Sequence, residues 1–136
     1  FFMNEQFSKT ALMKEVEDGD GIFILASVDD EPCGYARMRL VNNENILADE
    51  NAIEIARIYA MPSVIGKGVG SALMQKCIDT AAQNNKEMIW LGVWEKNERA
   101  IAFYTRWGFE KFSEHPFLLG SDLQTDWLMK RVVVLS

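Results

Sequence analysis

The chain has 136 residues, 49% apolar and 25% charged, a balance that suits one globular domain over residues 1–136 and leaves too little chain for two. A net charge of −6 argues against a phosphate-backbone partner, so no nucleic-acid role is expected. No apolar run approaches the roughly 20 residues that span a bilayer, so no membrane role is expected either, and an acidic surface attracts cationic small molecules instead.

Residues 2–17 read as a helix, because Phe7, Ala11, Leu12 and Val16 recur at helical spacing and Asp18-Gly19-Asp20-Gly21 stops the run. Residues 22–28 form a short apolar strand, Asp29-Asp30-Glu31-Pro32 is turn chemistry, and residues 33–41 alternate as a second strand, giving a hairpin. Residues 42–51 are polar and acidic, a loop. Residues 52–60 are an isoleucine-rich third strand ended by Met61-Pro62.

A glycine-rich turn follows, and a helix over residues 71–83 presents Leu73, Cys77, Ile78, Ala81 and Ala82 on one face. Residues 87–94 are nearly continuous in apolar side chains, as expected for a strand buried on both faces. Asn97 caps a second helix with Ala100, Ile101, Phe103, Tyr104 and Trp107 inward, and Gly108 ends it. Residues 109–112 and 125–135 are the last strands, with Pro116 and Gly120 in the loop between them. The order predicts an α/β (α+β) domain, a mixed sheet with helices packed on it.

Cys33 and Cys77 each lie in an apolar segment and read as reduced, packed thiols of a cytoplasmic protein. His115 is the only histidine, which excludes a multi-histidine metal site, and no metal is expected. It reads as a loop residue with access to an acceptor pocket. Trp90, Trp94 and Trp107 read as core or cofactor-wall residues.

The turn Gly66-Lys67-Gly68-Val69-Gly70-Ser71 joins a strand to a helix. Its glycines let backbone N–H groups face an anion without side-chain obstruction, and the helix start supplies further unpaired donors. Each charged hydrogen bond contributes about 1.5–3 kcal/mol, so several can hold a pyrophosphate. The bland alternative is a tight turn whose glycines serve geometry alone. A P-loop does not fit, since Lys67 precedes Gly68, and a dinucleotide fingerprint does not fit, since Ser71 stands at its last glycine.

The window Ile65-Gly66-Lys67-Gly68-Val69-Gly70 resembles the Q/R-x-x-G-x-G/A motif of the GNAT acetyltransferases, departing at its first position, where Ile65 replaces Gln or Arg. The segment Asn97 through Phe109 matches a second family pattern, N-x-x-A-x-x-F-Y-x-x-x-G-F, at a suitable distance downstream. A narrower similarity, through Ile89-Trp90-Leu91-Gly92-Val93-Trp94-Glu95-Lys96-Asn97-Glu98 and Gln124-Thr125-Asp126-Trp127, is to bacterial Pai-type spermidine/spermine N-acetyltransferases.

The resemblance implies a GNAT fold with a mostly antiparallel sheet, in which residues 22–41 take the place of strands two and three and residues 52–60 that of strand four. On that alignment the first strand and first helix are missing, so the chain, which opens Phe1-Phe2-Met3, reads as N-terminally incomplete. An open edge would then lie beside residues 22–28, a place for a homodimer contact.

The resemblance further implies acetyl-CoA as co-substrate. Backbone groups of Ile58, Tyr59 and Ala60 would meet its pantetheine arm. Ile65, Gly66, Lys67, Gly68, Val69, Gly70 and Ser71 would cradle its pyrophosphate, and Asn97, Ala100, Phe103 and Tyr104 would line the thioester end. The implied activity is acetylation of a primary amine, a polyamine such as spermidine or spermine, by direct attack in a ternary complex. Rival readings are another amine (an amino sugar, an antibiotic or a protein N-terminus) and a module that binds acetyl-CoA without turnover.

At pH 7 an alkylammonium with pKa about 10.4 is neutral in about one molecule in 2,500, so reaching the nucleophile costs about 4–5 kcal/mol. Glu54 is the candidate base; its alternatives are ordering water, holding the cationic acceptor, or simply being a strand-surface carboxylate. Tyr104 is the candidate acid for the leaving thiolate, against the alternative of a packed aromatic.

Overall fold

The computed structural model describes residues 12–18, 21–40, 51–61 and 68–133. In chain order they form β1 (Leu12–Asp18), β2 (Gly21–Val28), β3 (Glu31–Arg39), β4 (Ala52–Ala60), α1 (Val69–Gln83), β5 (Met88–Trp94), α2 (Glu98–Arg106), β6 (Glu110–Leu119) and β7 (Asp122–Val132). The described strands make a seven-stranded sheet of order β1-β2-β3-β4-β5-β7-β6. Only β4 and β5 run parallel; the other neighbours are antiparallel, as the mixed-sheet expectation required.

Two expectations are corrected at the start of the chain. The predicted helix is a strand over Leu12–Asp18, and its earlier residues lie outside the described ones. This strand pairs with β2 from Leu12↔Ser27 to Asp18↔Gly21, so the edge beside residues 22–28 is covered rather than open, and the place of a missing first strand is filled. The apolar spacing at Leu12 and Val16 fits a helix locally. The unpaired N–H and C=O groups along β2 offer a full ladder instead, and tertiary pairing overrides weak propensity.

The β2–β3 hairpin turns at Asp29 and Asp30, both with positive φ (53° and 66°), the geometry whose twist matches the flanking strands. At the other end of the sheet, Pro116 lies inside β6 opposite Thr125, not in a loop, and the turn shrinks to the residues around Gly120. β6 is an edge strand, the one setting in which proline costs no ladder hydrogen bond.

The two faces of the sheet differ. Ile22, Ile24, Ala36, Met38, Ile53, Ile55, Ile89, Leu91 and Val93 point to one face and join Leu73, Met74, Cys77 and Ala81 of α1 in a continuous core. Ala100, Ile101, Phe103 and Tyr104 of α2, and Trp107 at its C-cap, pack on its margin, as their inward spacing predicts. Cys33 and Cys77 are both free and buried. The alternate residues, Phe23, Tyr35, Arg37, Arg39, Glu54, Arg57, Tyr59, Trp90, Gly92 and Trp94, face the other way. There Phe23, Tyr35 and Tyr59 form a ladder, with ring centroids 5.5 and 5.8 Å apart. No described helix covers it.

α1 docks closely on β3. A Cβ on Gly34 would come within 2.7 Å of the Tyr59 carbonyl and 3.2 Å of Val69 and Leu73, so only glycine lets helix and strand meet there. Its far end closes with Asn85 in the left-handed region (φ 58°) and the Lys86 N–H donating to the Ala81 carbonyl at 2.9 Å, a Schellman-type stop.

Candidate active site

The site begins with a bulge. Arg37 pairs with Arg57 but Met38 pairs with Ile55, leaving Ala56 as an extra residue in β4. A bulge bends its strand and increases the local twist. The parallel pairing of β4 with β5 accordingly stops after Ala52↔Met88, Ile53↔Ile89 and Glu54↔Trp90. Beyond Glu54 the two strands splay apart.

The second half of β4 is therefore an edge inside the sheet. The Met61 N–H donates to the Cys33 carbonyl at 2.9 Å. The alternation of an antiparallel ladder then turns the N–H and C=O groups of Ile58 and Ala60 away from β3 and into the splay.

A cleft of about 540 Å³ fills this splay, lined by Ile58, Tyr59, Ala60, Gly68, Gly70, Ser71, Asn97, Arg99, Ala100, Phe103, Tyr104 and Arg106. Its residues come from β4, from the N-terminal end of α1 and from the length of α2 with its Asn97 cap. Nine of the sequence-predicted site residues thus meet in one place: Ile58, Tyr59, Ala60, Gly68, Gly70, Ser71, Asn97, Ala100 and Phe103, joined by the candidate acid Tyr104. Val69 is buried behind it, in the core. Ile65, Gly66 and Lys67 lie outside the described residues.

The helix ends fit an anion. Gly68 is the N-cap of α1 in the left-handed region (φ 89°), no side chain caps the helix, and its first turn has no acidic residue. The Ala72 N–H donates to the Gly68 carbonyl at 2.9 Å, and the N–H groups before it in the first turn are left for a ligand. Gly70 closes against α2, where a Cβ would sit 3.8 Å from the Phe103 ring.

Asn97 caps α2 as predicted, its side chain accepting from the Ala100 N–H at 3.2 Å. Arg99 and Arg106 bring positive charge to the cleft and were missed by sequence reasoning, which followed the apolar face of α2. Their separation by seven residues, with Phe103 between them, is a two-turn ridge and was the available signal.

Tyr104 stands edge-on to Phe103 and Phe109, with centroids 5.6 and 5.8 Å away. Burial, and secondarily the neighbouring Cys77 thiol, pushes its phenol up to about 12, so it holds its proton throughout the neutral range. Burial also pushes Cys77 up to about 12.

Glu54 is not in the cleft lining. It lies at the foot of the splay, on the face away from α1, with its Oε1 3.5 Å from Arg39 Nη1. His115 is exposed on β6 opposite Asp126. Trp90 is buried on that same outer face and Trp94 is partly exposed there. Among the described residues no group of His, Cys, Asp or Glu could hold a metal, and no helix is long and apolar enough to cross a membrane.

A sheet splayed between two parallel strands, with a helix N-terminus at its mouth, defines the acyl-CoA-dependent acyltransferase class. The sequence profile of the acetyltransferase (GNAT) family matches residues 2–109, and the chain belongs to this family of N-acetyltransferases. It is 36% identical over 133 residues to an uncharacterized N-acetyltransferase of Lactobacillus delbrueckii subsp. lactis, covering 98% of this chain and 77% of that one. In fold it is similar to a GNAT family acetyltransferase of Elizabethkingia anophelis solved with acetyl-CoA bound, with TM-score 0.74, 12% identity, and coverage of 92% of this chain and 99% of that one. It is also similar to the PaiA N-acetyltransferase of Thermoplasma acidophilum solved with coenzyme A, with TM-score 0.66, 21% identity, and coverage of 83% and 61%.

Proposed function

We propose that the chain transfers the acetyl group of acetyl-CoA to a primary amine of a polyamine such as spermidine or spermine, by direct attack in a ternary complex. The observation that carries this reading is the splay itself: a free strand edge, an uncapped helix N-terminus and a protonated phenol meet in one cleft. The net charge of −6 and the similarity of the strand-five segment to polyamine acetyltransferases support a polycationic acceptor. The two free buried thiols support a reducing, cytoplasmic setting.

Acetyl-CoA would supply the activated thioester. The Ile58 and Ala60 backbone would bind its arm. The turn from Ile65 to Ser71, with Arg99 and Arg106, would hold its phosphates, and Asn97, Ala100 and Phe103 would shape the acetyl end. Glu54, on the face away from the helices, takes the proton of the incoming ammonium directly or through water. Tyr104 gives its Oη proton to the departing sulfur. The phenol near 12 and a free thiol near 8.5 differ by about 3.5 units, about 5 kcal/mol against full transfer in water. Desolvation of the thiolate in the same cleft narrows that gap.

The test is release of CoA thiol from acetyl-CoA, with spermidine against an acceptor-free blank. Acceptor-dependent release is expected, and Tyr104→Phe should lower kcat about 100-fold or more while leaving acetyl-CoA affinity within about twofold. Unchanged turnover in Tyr104→Phe would remove the general acid. Binding of acetyl-CoA with no release for any amine would favour a sensing module.

A further inference from the structure

Above the Glu54↔Trp90 pair the splay opens through the sheet. On one face α1 and α2 flank it, and no described helix covers the other face, which leaves that face for an incoming amine. The β5 residues on that face are Trp90, Gly92 and Trp94. Gly92 is the second residue past the last pair, roughly 7 Å along the strand.

A glycine inside a strand weakens it and marks a close approach by a ligand or another backbone. Gly92 is not required by backbone conformation, since its φ is not positive. Crowding does not require it either. An added Cβ would meet only Asp126 Oδ2 and Leu128 Cδ2, both at 3.6 Å, an ordinary contact. Between two tryptophans on the same face it leaves a notch at the mouth of the splay.

Asp126 forms one wall of this notch. It lies opposite Trp94 in the β5–β7 register and opposite His115 across β6. It is half-buried, and among the described residues no Lys or Arg pairs with it. Burial raises its carboxyl and His115 lowers it. A carboxylate in that position stands to gain from a cation brought by a ligand, and Trp94 offers an aromatic face beside it.

We propose that the Gly92 notch receives the second, non-reacting ammonium of a diamine or polyamine acceptor, with Asp126 as its carboxylate partner and Trp94 as its wall. The inference rests on the transferase reading above and assigns its acceptor selectivity to residues outside the cofactor cleft.

The experiment is calorimetric titration of the full chain, saturated with CoA, with 1,4-diaminobutane and separately with butylamine. The diamine should bind at least about 10-fold more tightly than the monoamine. Asp126→Asn should erase that advantage while butylamine and CoA affinities stay within about twofold. Gly92→Val, which fills the notch with the charge retained, should do the same. Equal diamine binding by the wild type and Asp126→Asn would overturn the inference, as would a wild type that does not prefer the diamine. In both cases retained CoA binding leaves the transferase reading standing. A wild type that binds no CoA would overturn both.

Discussion

The sheet has one face closed by helices and one that no described helix covers. On the helix side, Ile53, Leu73, Cys77 and Ile89 are fully buried in one continuous cluster. On the other side, Tyr59 remains 46% exposed, and the polar residues Arg39, Glu54 and Asp126 sit among aromatic rings. The same strands supply both, because successive residues point to opposite faces. A substitution therefore reaches the buried cluster or the face without a described helix according to its parity along the strand, one position apart.

The largest effect expected from breaking this contrast is at Leu73. Leu73→Ala deletes a fully buried side chain and should lower unfolding stability by about 3 kcal/mol, whereas Tyr59→Ala, on the open face, should cost under about 1 kcal/mol. Urea denaturation of the two variants checks the pair; equal losses would show that the open face also carries the fold.

A smaller effect should come from alkali. Cys77 and Tyr104 have folded values raised from 9.0 and 10.0 to about 12, so the folded chain holds these protons more tightly than the unfolded one. Their stabilisation is fully present below pH 9 and is lost as pH rises from there towards about 12. Raising pH from 8.5 to 10.5 should lose about 2 kcal/mol through Cys77. Thermal melts across that range should fall more steeply in the wild type than in Cys77→Ala; parallel slopes would place the alkaline loss elsewhere.

The smallest effect is at the α2 cap. Asn97→Ala removes the acceptor of the Ala100 N–H and should cost about 1 kcal/mol. Because Asn97 also lines the cleft, acetyl-CoA affinity should weaken with it, while binding of 1,4-diaminobutane to the open face should not. Calorimetry on the variant separates the two.

Much of this was legible where local chemistry decides structure. The hairpin turn at Asp29-Asp30 (although Glu31 and Pro32 join β3), the Asn97 cap and the isoleucine-rich β4 each follow from one residue or a short pattern. Less legible were features set by partners distant in the chain. Leu12–Asp18 becomes a strand because β2 lies beside it, and Pro116 is tolerated in a strand because β6 is an edge. Arg99 and Arg106 fall on the variable positions of the Asn97–Phe109 pattern, and Asp126, though inside a segment of family likeness, carries no role in it. They gain meaning only when the bulge at Ala56 opens the sheet beside them.

That bulge has a consequence for how the chain senses its own loading. Edge strands ordinarily lie at the rim of a sheet, where charge or proline guards them. Ala56 moves an edge to the interior, between two strands that are neighbours at their base. The amides of Ile58 and Ala60 are then protected from solvent exchange only when something completes the ladder, while those of Arg57 and Tyr59, turned towards β3, are protected by that pairing alone. Slow exchange at these two amides would serve as an occupancy gauge inside the sheet, reporting co-substrate without any label on it.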